Sequence, residues 1–390
     1  MRYKSGVQYI MLSVVALLVF SVSGFAHEIP EGAEPFMSSQ KCSACHPAIF
    51  KEWSNSMHGK SSVHKDGAHA AMYNSFLSDM QKDKIDAGYN CATCHMPMAD
   101  NITDITSGKQ KPDDKNLLEQ DGVGCTFCHR IENTMLGKDR NTCVINKDGS
   151  FLVNKPGDKA PHKTASNPMF SNGELCLGCH GFLVNPKNVT ICAMKEEGTG
   201  NCLSCHMQKT AGEPALMSKT AEHTSHAISG GHDEEMLKKA VTLDIKSDGK
   251  NLHVKVKNIA GHAFPSTMPM RIAFVKVTFR DSAGKALWTN IKENPLADDK
   301  QSVFAKAFKA GDKTGVPAWK AESVAFDTRL KAAEERHLTY PITGGDVKTA
   351  DVYVMYRLFP SSAIDKYNIS KEGLNDKSII VVKKELTLSK

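Results

Sequence analysis

The chain has 390 residues, 49 Lys and Arg against 43 Asp and Glu, 12 cysteines and 16 histidines, with 41% hydrophobic residues. That length is room for two or three domains, and with ordinary apolar content and mixed charge nothing argues for a disordered chain. Lys and Arg are scattered rather than gathered into a stripe, which argues against nucleic acid as a partner.

Arg2 and Lys4 precede a short apolar run at residues 9–20 (YIMLSVVALLVF), and Gly24-Phe25-Ala26 follows with small residues. This pattern predicts a signal peptide over 1–26 and a mature chain from His27, exported to the periplasm or beyond the cell. The run is short for a membrane span, and an uncleaved anchor is the competing reading.

Five frames come next: Cys42-Ser-Ala-Cys45-His46, Cys91-Ala-Thr-Cys94-His95, Cys125-Thr-Phe-Cys128-His129, Cys176-Leu-Gly-Cys179-His180 and Cys202-Leu-Ser-Cys205-His206. Each reads C-x-x-C-H, the attachment sequence for haem c. Two thiols at this spacing reach the two vinyl groups on one porphyrin edge, and the adjacent imidazole lies under the iron as proximal ligand. Zinc knuckles also pair C-x-x-C, but two knuckles already complete four ligands and give no reason for the repeated His. Redox dithiols need a βαβ setting that the loop-rich surroundings lack. Five haem c groups are therefore expected. Their propionates would offset the formal charge of +6. Cys143 and Cys192 fall outside the frames, and in an oxidising compartment a disulfide between them is expected over two free thiols.

Residues 27–233 carry all the frames, with gaps rich in Gly, Pro, Asn and Lys and little aliphatic material. Helices are expected at 47–57, 68–81 and 218–226, and sheet is not. From 234 the pattern changes. After a helical bridge at 234–240, runs at 241–245 and 252–256 flank a Ser-Asp-Gly-Lys turn and predict a hairpin. Further strands are expected at 271–280, 286–290, 338–342, 352–358 and 379–388. About seven strands without cysteine over 234–390 suggest an immunoglobulin-like β-sandwich, with a barrel as the alternative.

Who supplies the sixth iron ligand separates a carrier from a catalyst. Eleven histidines remain beside the proximal five. His58, His162, His226, His232 and His262 are the best placed, ahead of His27, His64, His69, His223, His253 and His337. Met96, Met98 and Met207 rank lower, being so near the attachment frames.

At these residues the chain resembles a known family. The run CSACHPAIFKEWSNSMHGK is similar to the N-terminal signature of the cytochrome c-554-like multihaem family, relatives of hydroxylamine oxidoreductase. TSHAISGGHDEEMLKKAV and NIAGHAFPSTMPMRIAFVKV resemble the C-terminal part of its longer members. The resemblance implies a haem-rich helical half joined to a β-sandwich, haems stacked in close pairs, and His58, His226 and His262 as distal ligands. No frame ends in Lys, so the pattern of pentahaem nitrite reductases is absent.

Three functions follow as expectations. The first is an electron carrier of anaerobic respiration that exchanges electrons with redox protein donors and acceptors and has no catalytic residues. The second is a reductase of a small nitrogen or sulfur compound at one five-coordinate haem. The third is a subunit of a haem-stacking filament, a homo-oligomer, or of a membrane-associated redox complex.

Overall fold

The computed structural model describes residues 27–157, 160–194 and 200–388. The expected leader at 1–26 lies outside the described residues. Among those described, no helix is long and apolar enough to cross a membrane.

The first part is built from short pieces. Helix α1 (Pro47–Asn55) starts at a proline directly after His46, where the missing N–H costs nothing. Its buried Trp53 donates from Nε1 to the Val123 carbonyl at 2.9 Å. Helix α2 (Gly67–Lys82) is capped by Asp66, whose carboxylate accepts from the backbone of Ala68 and His69. The attachment frames each fold as one tight helical turn, as at Cys125–Cys128 and Cys202–His206. In such a turn residues i, i+3 and i+4 share a side, so both thiols and the imidazole point together.

Sheet is present here, contrary to the expectation from sequence. β1 (Ile131–Met135) pairs β2 (Thr142–Ile145), and β3 (Phe151–Val153) pairs β4 (Thr164–Ser166). β5 (Leu183–Val184) pairs β6 (Thr190–Cys192), and β7 (Lys209–Ala211) pairs β8 (Glu222–Thr224). These strands are too short to show a period of two. β8 occupies part of the stretch expected as helix 218–226, because its backbone is claimed by β7.

Among the described residues the second part has ten antiparallel strands: β9 (Val241–Ser247), β10 (Asn251–Asn258), β11 (Ile272–Arg280), β12 (Ala286–Thr289), β13 (Val303–Ala310), β14 (Lys313–Val316), β15 (Ser323–Asp327), β16 (Glu335–Pro341), β17 (Thr349–Arg357) and β18 (Ile379–Thr387). One sheet runs β16-β10-β9; the other runs β14-β13-β11-β17-β18, with β12 on β11 and β15 on β13. The expected hairpin is β9–β10, its turn closed by the Asp248 carboxylate accepting from the backbone of Lys250 and Asn251. Leu243, Leu252, Val254 and Val256 of the first sheet share one core with Val275, Val277, Val352 and Val354 of the second. Alternation sends every second side chain inward, which is why this half is legible as strands.

The two parts are fastened together. Ala68 of α2 joins the strand core, Trp319 Nε1 donates to Asp79 at 3.0 Å, and Lys320 pairs with the same carboxylate at 3.0 Å. Val189 and Ile191 pack with Phe308 and Ala321.

Candidate haem attachment and ligand sites

The frames define sites 1 to 5 in chain order. At four of them a second imidazole faces the one in the frame. His162 stands opposite His46 with ring centres 6.3 Å apart, His226 opposite His129 at 6.2 Å, His58 opposite His180 at 6.0 Å and His262 opposite His206 at 6.2 Å. A metal–imidazole bond of about 2 Å on each side puts two rings that share one metal about 6 Å apart, centre to centre. Sites 1, 3, 4 and 5 have that spacing.

The proton positions agree with it. His46 donates from Nδ1 to Pro214 O at 2.7 Å, His129 to Leu152 O at 2.9 Å, and His206 to Ser229 O at 2.5 Å. Opposite, His226 donates to Thr224 O at 2.8 Å and His262 to Ala263 O at 3.0 Å. A proton fixed on Nδ1 leaves the Nε2 lone pair for a metal. Glu52 of α1 supports site 3 from behind: it accepts from the His226 backbone N–H at 2.7 Å and pairs with His223 at 3.0 Å. Burial holds His58 down to about 3 and His226 to about 4, so both imidazoles are neutral at neutral pH, the form that ligates.

Site 2 differs. The ring beside His95 is that of His69, only 4.1 Å away, too near for a metal between them. Both rings donate from Nδ1 to one acceptor, Ser61 O, so they stand side by side rather than face to face. The Nε2 of His69 accepts from the Tyr89 hydroxyl. Among the described residues, no imidazole faces His95 at the spacing of the other four sites.

His232 makes no such pair either. Ser229 holds His206 through its carbonyl and Asp233 caps the helix Glu234–Leu237, which fixes the loop between them. Gly231 lies against the Tyr356 hydroxyl, and the neighbours of His232 are Arg271, Asp66 and Lys60. His27 is in the wrong proton form: its Nδ1 accepts from Cys143 N–H at 3.0 Å, which leaves the proton on Nε2, 3.6 Å from Cys179 Sγ. Met96 and Met98 are fully buried in small apolar clusters, where Ser62 and Thr126 hydroxyls meet their sulfurs. His64 pairs with the buried Glu119, while His253 and His337 pair with acids on the strand-rich part.

The expected disulfide is absent: Cys143 and Cys192 are not bonded to each other. The turn Leu177–His180 explains it. Cys143 Sγ fills the space where a side chain at Gly178 would be, 2.2 Å from its Cβ position. Cys192 donates to His180 O at 3.1 Å.

Thiols of different frames also meet. The Cys42 thiol is in hydrogen-bonding contact with Cys125, Cys94 with Cys179, and Cys176 with Cys202, so site 1 adjoins site 3, and site 4 adjoins sites 2 and 5. Cys128 lies near Cys176 and Cys179, which joins site 3 to site 4. The bond from Cys176 pulls Cys202 down to about 6 and pushes Cys176 up.

Two comparisons with known proteins bear on the chain. Residues 41–130, which hold sites 1 to 3 and His58, match the family described as "Cytochrome c554 and c-prime". The solved structure of a penta-heme cytochrome c552 from Thermochromatium tepidum superposes with a TM-score of 0.75 at 24% identity, covering 91% of this chain and 100% of that one. The two matches together support a multihaem c-type cytochrome of this family. No curated protein matches the chain. A structural-genomics target (TM-score 0.17, 10% identity) and a β-glucosidase 3B from Thermotoga neapolitana (0.13, 12%) each overlap 38% of it and carry no argument. They cover 88% and 15% of those chains, respectively.

At each frame two thiols and an imidazole share one side of a tight turn, the donor set that covalent haem c needs. What the sequence left unread is the support: Pro214, Leu152, Ser229 and Ser61 carbonyls, and Glu52. No motif marks a backbone carbonyl, so no sequence signal points to them.

Proposed function

We propose that this cytochrome holds five haem c groups and transfers electrons between redox protein partners in the periplasm or outside the cell, in anaerobic respiration. The observation that carries the reading is the spacing of 6.0–6.3 Å between facing imidazoles at sites 1, 3, 4 and 5. Haem c supplies a one-electron iron couple, and the protein supplies position, ligands and shielding. Two imidazoles at one iron favour a low-potential, coordinatively closed centre suited to carrying electrons rather than binding substrate.

The thiol contacts give an order. Sites 1, 3 and 4 form a row, and sites 2 and 5 both branch from site 4. Electrons entering at one end thus have a defined route with a junction at site 4. His262 comes from the strand-rich part and faces His206 of the first, so the two parts complete site 5 together. We read domain boundaries at 27–233 and 234–390, and the second part as an immunoglobulin-like sandwich. The filament reading, marked by a His lent across a subunit boundary, gains nothing at sites 1, 3, 4 and 5, where one chain provides both rings.

A second reading has one observation in its favour: site 2 lacks a facing imidazole among the described residues, as a substrate-binding iron would. The test is the spectrum of the oxidised protein with and without nitrite, hydroxylamine or carbon monoxide. The carrier reading expects low-spin signals from sites 1, 3, 4 and 5 and no steady turnover. Sustained reduction of nitrite or hydroxylamine, with a high-spin signal that the substrate abolishes, would overturn it in favour of a reductase at site 2.

A further inference from the structure

Arg130 follows the proximal His129 of site 3 and is 2% exposed. All its hydrogen bonds go to neutral oxygens: Nε to Asn146 Oδ1 at 3.2 Å, Nη2 to Asn146 O at 2.8 Å, and Nη1 to Glu34 O. The guanidinium lies over the Phe36 ring, 5.1 Å from its centre, and Phe36 packs on Phe127 inside the site 3 frame. The acids that bear on it, Glu34 and Asp148, are exposed and form no ion pair with it. The other buried arginine is treated differently: Arg329 is held by the Asp327 carboxylate at 2.6 Å.

A guanidinium does not lose its proton in a protein. Burying one without a carboxylate is costly, and carbonyl oxygens satisfy its N–H groups without cancelling its charge. The charge therefore acts on its surroundings through a poorly screening medium. The redox position it adjoins is site 3, whose attachment turn and proximal histidine immediately precede Arg130 and whose Phe127 packs on Phe36 under the guanidinium. A fixed positive charge favours the iron state with one more electron.

We propose that Arg130 is a positioning and tuning residue that raises the reduction potential of site 3 above that of the other bis-imidazole sites. Since site 3 stands between site 1 and the site 4 junction, the row then contains a place where an arriving electron is held. The inference rests on the reading of the third frame as a haem site.

The test is a potentiometric titration of the fully loaded protein followed by electron paramagnetic resonance, with the site 3 signal identified by its change in His226→Ala. In Arg130→Gln the site 3 midpoint shifts to lower potential and the other four stay in place, while Arg130→Lys retains most of the wild-type value. Asn146→Asp is the second variant, for use where Arg130→Gln fails to fold. It keeps an oxygen on the guanidinium but adds a compensating negative charge, so it also lowers the site 3 midpoint. An unmoved site 3 midpoint in loaded Arg130→Gln or Asn146→Asp, or an equal shift at all five sites, would overturn the proposal. Failure of the underlying haem reading shows separately, as wild-type protein whose mass lacks a haem at the third frame.

Discussion

The two parts of this chain solve the same problem by different means. After residue 240 the strands bury continuous rows of Val, Leu, Phe and Tyr, and the core is made by the polypeptide itself. Before residue 234 the apolar clusters are small, such as Tyr89, Ala92, Met96, Ala99, Ile102 and Ile105, and the order comes from anchored turns, short strand pairs and histidines in facing pairs. Such a part depends on covalently held cofactors for its apolar mass, whereas the strand-rich part depends on packing.

The largest effect that separates them is loss of an anchor. Replacing Cys125 and Cys128 by Ala should remove one haem by mass and abolish hydrogen-exchange protection around β1, β2 and β3, with β9–β18 amides still protected. Protection lost uniformly would mean that the two parts form one cooperative unit. The reverse experiment is Leu252→Ala, at a fully buried strand position. It should cost about 2–5 kcal/mol, seen as a lower Tm, with the visible spectrum of the folded protein unchanged.

A smaller effect probes the place where the parts meet. His262→Ala should convert site 5 alone from low spin to a ligand-accessible state, while His232→Ala leaves every site as it was. A spectral change in the second variant, or none in the first, would contradict the pairing. The smallest effect is that of acid. His226 is lowered from 6.5 to about 4 by burial, so it stays neutral as pH falls from 6.5 and protonates only through about 4. A visible spectrum that holds at site 3 from pH 7 to 5 is expected; loss near 6 would refute the burial argument.

How much was legible follows from the range of each constraint. The five frames are local: thioether chemistry dictates their spacing, so the sequence shows them outright. The helices at α1 and α2 and the β9–β10 hairpin carry local caps and turns and are readable for the same reason. Facing imidazoles are not local. His58 follows the first frame but faces His180 of the fourth, and no periodicity encodes such a contact. His69 reads as an ordinary helix residue until its shared carbonyl with His95 is seen. β13 was hidden because it is buried on both faces, with Lys306 among its inward residues, so it lacks the alternation that marks a half-exposed strand. Cys143 and Cys192 illustrate a compartment argument outweighed by local packing around one turn.

Intact mass of the folded protein addresses the central claim most directly. The account predicts the polypeptide from His27 plus five covalently bound haems, in agreement with the pyridine haemochrome iron content. A mass equal to bare polypeptide, or to fewer than five haems in fully coloured protein, would contradict it.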